Sequence, residues 1–137
     1  MLSSASHDGR KLILSVDDDM GVLFSRYRLL EDAGYAVISA SDGAEALQSF
    51  GNNPVDLVLL DYNMAGMPGD VVAQAMKDYK PGVPVIMVSG TEVPERALAE
   101  VSLYVRKAEG PEPLLQAIRE LLTSYPNTGS DQREQAS

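Results

Sequence analysis

Three runs of this chain are apolar at nearly every position: Leu12–Val16, Val55–Leu60 and Val83–Val88. Neighbouring side chains of a strand point to opposite faces, so strands of this composition need apolar cover on both sides. Parallel sheets packed between helices supply that cover. The runs recur in a longer alternation of strand and helix, five times over. The strands are read as Lys11–Val16, Tyr35–Ser39, Val55–Leu60, Val83–Val88 and Ser102–Arg106. Alternating β and α segments imply a doubly wound α/β sheet with right-handed crossovers.

The intervening segments carry helical periodicity. Met20–Ala33 places Leu23, Tyr27 and Leu30 on one face, and Gly34 takes the C′ position. Asp42–Phe50 gathers Ala46, Leu47 and Phe50. Pro68–Tyr79 presents Val71, Val72, Ala75, Met76 and Tyr79 as a stripe. The fourth helix, Pro94–Glu100, is short because Pro94 delays its start. The last, Pro111–Ser124, buries Leu114, Leu115, Ile118, Leu121 and Leu122. A single domain over residues 11–124 is expected, with a flexible leader at 1–10 and a polar tail at 125–137.

Composition excludes several functions. The chain has no cysteine, so thiol catalysis, thiolate zinc sites and disulfides are ruled out. Its one histidine, His7, lies in the leader and is read as a tail residue. Net charge is −9 and the basic residues are scattered, which disfavours direct binding of nucleic acid. No apolar run approaches the ~20 residues of a membrane span, and the leader lacks a signal-peptide core. A cytoplasmic location without membrane insertion is expected.

The chemistry lies at the strand ends. Asp17-Asp18-Asp19 follows the first strand and Asp61 the third. If these strands are neighbours, at least three carboxylates meet at one rim. Crowded like charges repel and call for a cation. Hard oxygen ligands suit Mg²⁺, leaving one carboxylate as a nucleophile for phosphoryl chemistry. Ser89 and Lys107 follow the fourth and fifth strands, at the end of the sheet where such folds bind ligands.

Four motifs stand in order, each at a strand end: Ile13-Leu14-Ser15-Val16-Asp17-Asp18-Asp19, Val58-Leu59-Leu60-Asp61-Tyr62-Asn63-Met64, Val85-Ile86-Met87-Val88-Ser89-Gly90 and Tyr104-Val105-Arg106-Lys107. Through them the chain resembles the receiver domain of two-component response regulators, from about Arg10 to Ser124. The resemblance implies a flavodoxin-like five-stranded parallel sheet of order 2-1-3-4-5 with five helices, the fourth shortened. It implies Asp61 as acceptor of a phosphoryl group from a histidine kinase or histidine phosphotransfer protein. Asp17 and Asp18 would hold Mg²⁺ directly or through water, Asp18 being favoured as direct ligand, and the Asn63 carbonyl would join them. Lys107 and Ser89 would contact phosphoryl oxygens. Tyr104 matches the family's rotating switch aromatic. Asn63 and Thr91 would flank the path of the hydrolytic water. Asp19 is read instead as a helix cap.

The chain departs from the family pattern in three places. Ala108 follows Lys107 where the family has a proline in a cis bond, which leaves cis or trans open. Ala65 replaces a loop proline after Met64. The span from Ser89 to Lys107 is about one helical turn short of typical members. Part of the family's dimerisation face, made by helix four, strand five and helix five, should therefore be missing. The reading favoured is a stand-alone receiver, not a conventional enzyme, that acts through an unknown downstream protein or relays phosphate. Its rival is a phosphorylation-independent pseudo-receiver. A phosphohydrolase of the haloacid-dehalogenase type, with Asp17 as nucleophile and Asp19 as acid/base, is disfavoured because Met20-Gly21 lacks that family's threonine.

Overall fold

A computed structural model describes residues 9–99 and 101–124. Most of the expected leader, with His7, and the whole expected tail lie outside the described residues. Five strands form one parallel sheet: β1 (Leu12–Val16), β2 (Ala36–Ala40), β3 (Leu57–Asp61), β4 (Val85–Ser89) and β5 (Leu103–Arg106), in the order β2-β1-β3-β4-β5. This is the doubly wound, flavodoxin-like arrangement. Strand order reverses at β1, which pairs with β2 on one side and β3 on the other.

Four α-helices occur among the described residues: α1 (Met20–Asp32), α2 (Gly43–Asn52), α3 (Gly69–Tyr79) and α4 (Pro111–Ser124). The expected short fourth helix, at 94–100, is a 3₁₀ turn at Glu95–Leu98. Pro94 stands at its start, and the chain reaches β5 before an α-helix can propagate. Lys107–Glu109 forms a second 3₁₀ turn.

Alternating strand residues feed two cores. Leu12, Leu14, Val16, Val58 and Leu60 pack with Ala46 and Phe50 of α2 and Val72, Ala73 and Met76 of α3. Ile13, Leu57, Leu59, Ile86, Val88 and Val105 pack with Leu30 of α1 and Leu114, Ala117, Ile118 and Leu121 of α4. That division explains why every residue of β1, β3 and β4 is buried.

Two helix faces differ from expectation. On α1, Tyr27 is 41% exposed and Arg26 is buried between Leu23 and Leu30. On α3, Val71 and Tyr79 are exposed, while Gly69, Val72, Ala73 and Met76 face inward. Gly69 sets that rotation. A Cβ there would sit 2.6 Å from the carbonyl oxygen of Asp61 and 2.8 Å from Tyr62 Cα. Only glycine lets α3 start this close to the strand end. At the end of α1, Gly34 has φ of 101°, the left-handed stop expected of it.

Strand boundaries also shift. Asp61 pairs with Val88 and Ser89 with Arg106, so both residues end their strands rather than follow them. The ladder continues to the rim, where Tyr62 N donates to Val88 O at 3.2 Å. The Lys107–Ala108 bond is trans, since no cis peptide occurs among the described residues.

Candidate functional site

The parallel register puts the carboxyl ends of β1, β3, β4 and β5 side by side. Val16 is level with Leu60, Asp61 with Val88, and Ser89 with Arg106. Asp17, Asp18, Asp61, Ser89 and Lys107 are thereby brought to one rim. Oxygens of Asp17, Asp18 and Asp61 all lie within 4.8 Å of one another. Asp17 and Asp61 are buried and Asp18 is exposed.

Local bonds hold each carboxylate. Asp17 Oδ1 accepts from Asp19 N at 3.0 Å. Asp19 caps α1, accepting from the Gly21 and Val22 amides at 2.9 and 3.2 Å. Asp18 Oδ2 accepts from Ala65 N at 3.2 Å, and Asp61 Oδ1 from Asn63 N at 3.2 Å. The loop that carries Ala65 is thus tied to the acids across the rim.

Cations compensate only part of this charge. Lys107 Nζ lies 2.9 Å from Asp17 Oδ2 and 3.7 Å from Asp61 Oδ1. Burial pushes the Asp61 carboxyl up to about 6, and the Asp17 charge adds to the rise. Lys107 and the Asn63 amide act against it, and Asp18 raises it slightly. A carboxyl raised by burial and by a neighbouring like charge is a mark of functional sites. The oxygen-only donor set fits a hard divalent ion such as Mg²⁺.

Ser89 opens a second network. Its hydroxyl donates to Thr91 O at 2.9 Å and accepts from Thr91 N at 3.1 Å. Tyr104 Oη donates to the same Thr91 carbonyl at 3.0 Å. The Asn63 side chain, expected with Thr91 beside the path of the hydrolytic water, donates to Thr91 Oγ1 at 2.8 Å and Ser89 Oγ at 3.3 Å. A chain of contacts therefore joins the loop after Asp61 to Ser89, Thr91 and Tyr104.

Arg26 escaped the sequence reading altogether. Its Nη2 lies 3.9 Å from Asp17 Oδ2, and its side chain is 7% exposed. Burial pushes the guanidinium below its ordinary value, and the charges of Asp17 and Asp61 pull it back. The signal was available: Leu23, Arg26 and Leu30 share a helix face at i, i+3, i+7, so a cation stood in the apolar stripe.

The site is thus an acidic triad and a lysine at the carboxyl rim of a doubly wound parallel sheet. Residues 13–119 match the response regulator receiver domain, and the chain belongs to that family. It is 34% identical over 134 residues to the transcriptional regulatory protein GlrR of Escherichia coli (strain K12), covering 94% of this chain and 30% of GlrR. The chain thus spans about a third of that relative's length.

Solved structures agree. A CheY-like receiver domain protein from Methanospirillum hungatei JF-1 superposes with TM-score 0.81 at 32% identity, over 85% of this chain and 97% of the other. TrrA of Thermotoga maritima, crystallised with Mg(2+)-BeF, has TM-score 0.79 at 29% identity, over 82% and 99%. TrrA is also known in complex with the histidine kinase ThkA, where the TM-score is 0.77 at 29% identity, over 82% and 98%. Among the described residues of the present chain, no helix is long and apolar enough to cross a membrane.

Proposed function

We propose that Asp61 accepts a phosphoryl group from a phosphohistidine in a Mg²⁺-dependent reaction, and that the aspartyl phosphate switches partner binding or is passed on. The observation that carries this reading is the convergence of Asp61 with Asp17, Asp18 and Lys107 at one rim. An Asp61 oxygen attacks phosphorus, the P–N bond breaks, and the imidazole nitrogen keeps the electron pair and takes a proton. Asp17 and Asp18, with the Asn63 carbonyl, would hold Mg²⁺. When bound, the ion supplies positive charge to the phosphoryl oxygens in a loose transition state.

Lys107 stands between Asp17 and Asp61, and turns toward a phosphoryl oxygen as a compact point charge. Ser89 gives up its bond to the Thr91 carbonyl to donate to another. Tyr104 holds that same carbonyl, so release at Ser89 is felt by the tyrosine on the surface of β5. The donor is a sensor histidine kinase or a histidine phosphotransfer protein, a choice supported by the kinase complex of TrrA. The Mg(2+)-BeF bound to TrrA supports the ion and the phosphoryl site. The working unit is residues 11–124, acting in the cytoplasm.

The test is intact mass after incubation with Mg²⁺ and acetyl phosphate, beside Asp61→Asn. One phosphoryl group on the native chain is expected, absent from Asp61→Asn and abolished by chelator. A native chain that takes no phosphoryl group from acetyl phosphate or candidate kinases, and no beryllofluoride, would instead be a phosphorylation-independent binding module.

A further inference from the structure

Two cations address one oxygen of Asp17. Lys107 Nζ lies 2.9 Å from Oδ2 and Arg26 Nη2 lies 3.9 Å from it. They reach it from different elements: Lys107 follows β5, and Arg26 is on α1. Lys107 is 30% exposed by side chain, whereas Arg26 is 7% exposed. Asp17 is the one carboxylate within ion-pair distance of Arg26 among the described residues.

The guanidinium is poorly satisfied. Its Nη1 is buried without a hydrogen-bond partner among the described residues. Its contact with Asp17 exceeds hydrogen-bond length, so it is a Coulombic contact only. Arg26 also borders a cavity of about 650 Å³ whose apolar wall includes Val22, Leu29, Val88, Val105 and Leu114. A buried arginine amid such neighbours is costly unless a fixed anion holds it. It cannot shed its charge by releasing a proton at working pH, as a lysine in the same place could.

We propose that Arg26 is a built-in counter-cation of the acidic rim: its charge behind Asp17 weakens the hold of the site on Mg²⁺. This rests on the Mg²⁺-dependent phosphoacceptor reading above. Three carboxylates facing Lys107 alone would leave two negative charges for a divalent ion. With Arg26 behind Asp17 only one remains uncompensated. The Coulomb attraction for Mg²⁺ falls accordingly, and the fall is largest at low salt. Leu30 packs in the second core and fixes the face of α1 that carries Arg26. The chain would thus need a higher Mg²⁺ concentration for phosphorylation than the acids alone would set.

Calorimetric titration of Mg²⁺ at low ionic strength, on the full chain, tests this. Arg26→Met keeps an unbranched side chain of similar length without charge. It is expected to bind Mg²⁺ roughly tenfold tighter than the native chain. At a pH low enough to keep the buried lysine protonated, Arg26→Lys restores the charge and is expected to return affinity toward the native value. A merely structural arginine gives the opposite sign, because loosening α1 would misplace Asp17 and weaken binding. Unchanged or weaker binding by folded Arg26→Met overturns the inference and leaves the receiver reading intact. Absence of Mg²⁺ binding in the native chain and both variants overturns the two together. Binding by Arg26→Met alone supports it. If Arg26→Met fails to fold, Arg26→Gln takes its place with the same expected direction.

Discussion

At the scale of the residue, Asp61 is held where its charge is unwelcome. Its carboxyl is raised from 3.8 to about 6, chiefly by burial and then by Asp17. Between those values the folded chain binds more protons than the unfolded one. Folding stability in chelator should therefore fall as pH rises from about 4 to about 6, and level off above. The cost at neutral pH is roughly 1–3 kcal/mol. Asp61→Asn keeps the shape and removes the charge, so its Tm in chelator should exceed the native value at neutral pH. The gain should vanish near pH 4, where the native carboxyl is protonated in the fold. A gain of equal size at both pH values would remove the carboxylate as its cause. These acids were legible in the sequence because each ends an apolar strand. Arg26 was missed although its spacing from Leu23 and Leu30 put it in the apolar stripe, because Tyr27 beside it is the more apolar candidate for the same face.

At the scale of the element, the sheet was legible and the helix faces only partly so. Runs such as Leu57–Leu60 are apolar on both faces, so their burial does not depend on orientation. A helix stripe does depend on it. On α3, both Val71 and Val72 are candidates for the core, and the choice falls to Val72 because Gly69 lets the first turn press against Asp61 and Tyr62. Tyr79, expected inside, is left exposed with its ring tilted against Phe50 at 6.4 Å. Gly69→Ala tests this account. Alanine is the better helix former by about 1 kcal/mol, which alone predicts stabilisation. Here its Cβ would meet backbone atoms at 2.6 and 2.8 Å, which cannot turn aside. A net loss of about 1–3 kcal/mol in urea unfolding is expected, as for an overpacked core. A variant as stable as the native chain would show that α3 yields without cost, and that the glycine does not fix the helix face.

At the scale of the whole molecule, the asymmetry of the sheet matters most. One end, at β2 and α2, is built of regular elements, while the β4–β5 connection is a single 3₁₀ turn at Glu95–Leu98. Receivers of this family pair through the face made by helix four, strand five and helix five. Here that face has β5 and α4 as its regular elements among the described residues, beside the turn. The chain also carries a net charge of −9, which opposes self-association at low salt. The usual symmetric dimer is therefore not expected through this face in its standard geometry. The lack of cysteine makes the check direct. Leu103 lies on β5 and is 36% exposed, so Leu103→Cys places one thiol on the face. With Mg²⁺ and beryllofluoride present, mild oxidation should leave this variant monomeric in sedimentation and in non-reducing gels. Efficient disulfide capture that depends on beryllofluoride would mean that β5 and α4 suffice for pairing. The shortened β4–β5 connection would then have no bearing on assembly, and the switch at Ser89, Thr91 and Tyr104 would open onto a second copy of the chain rather than a different partner.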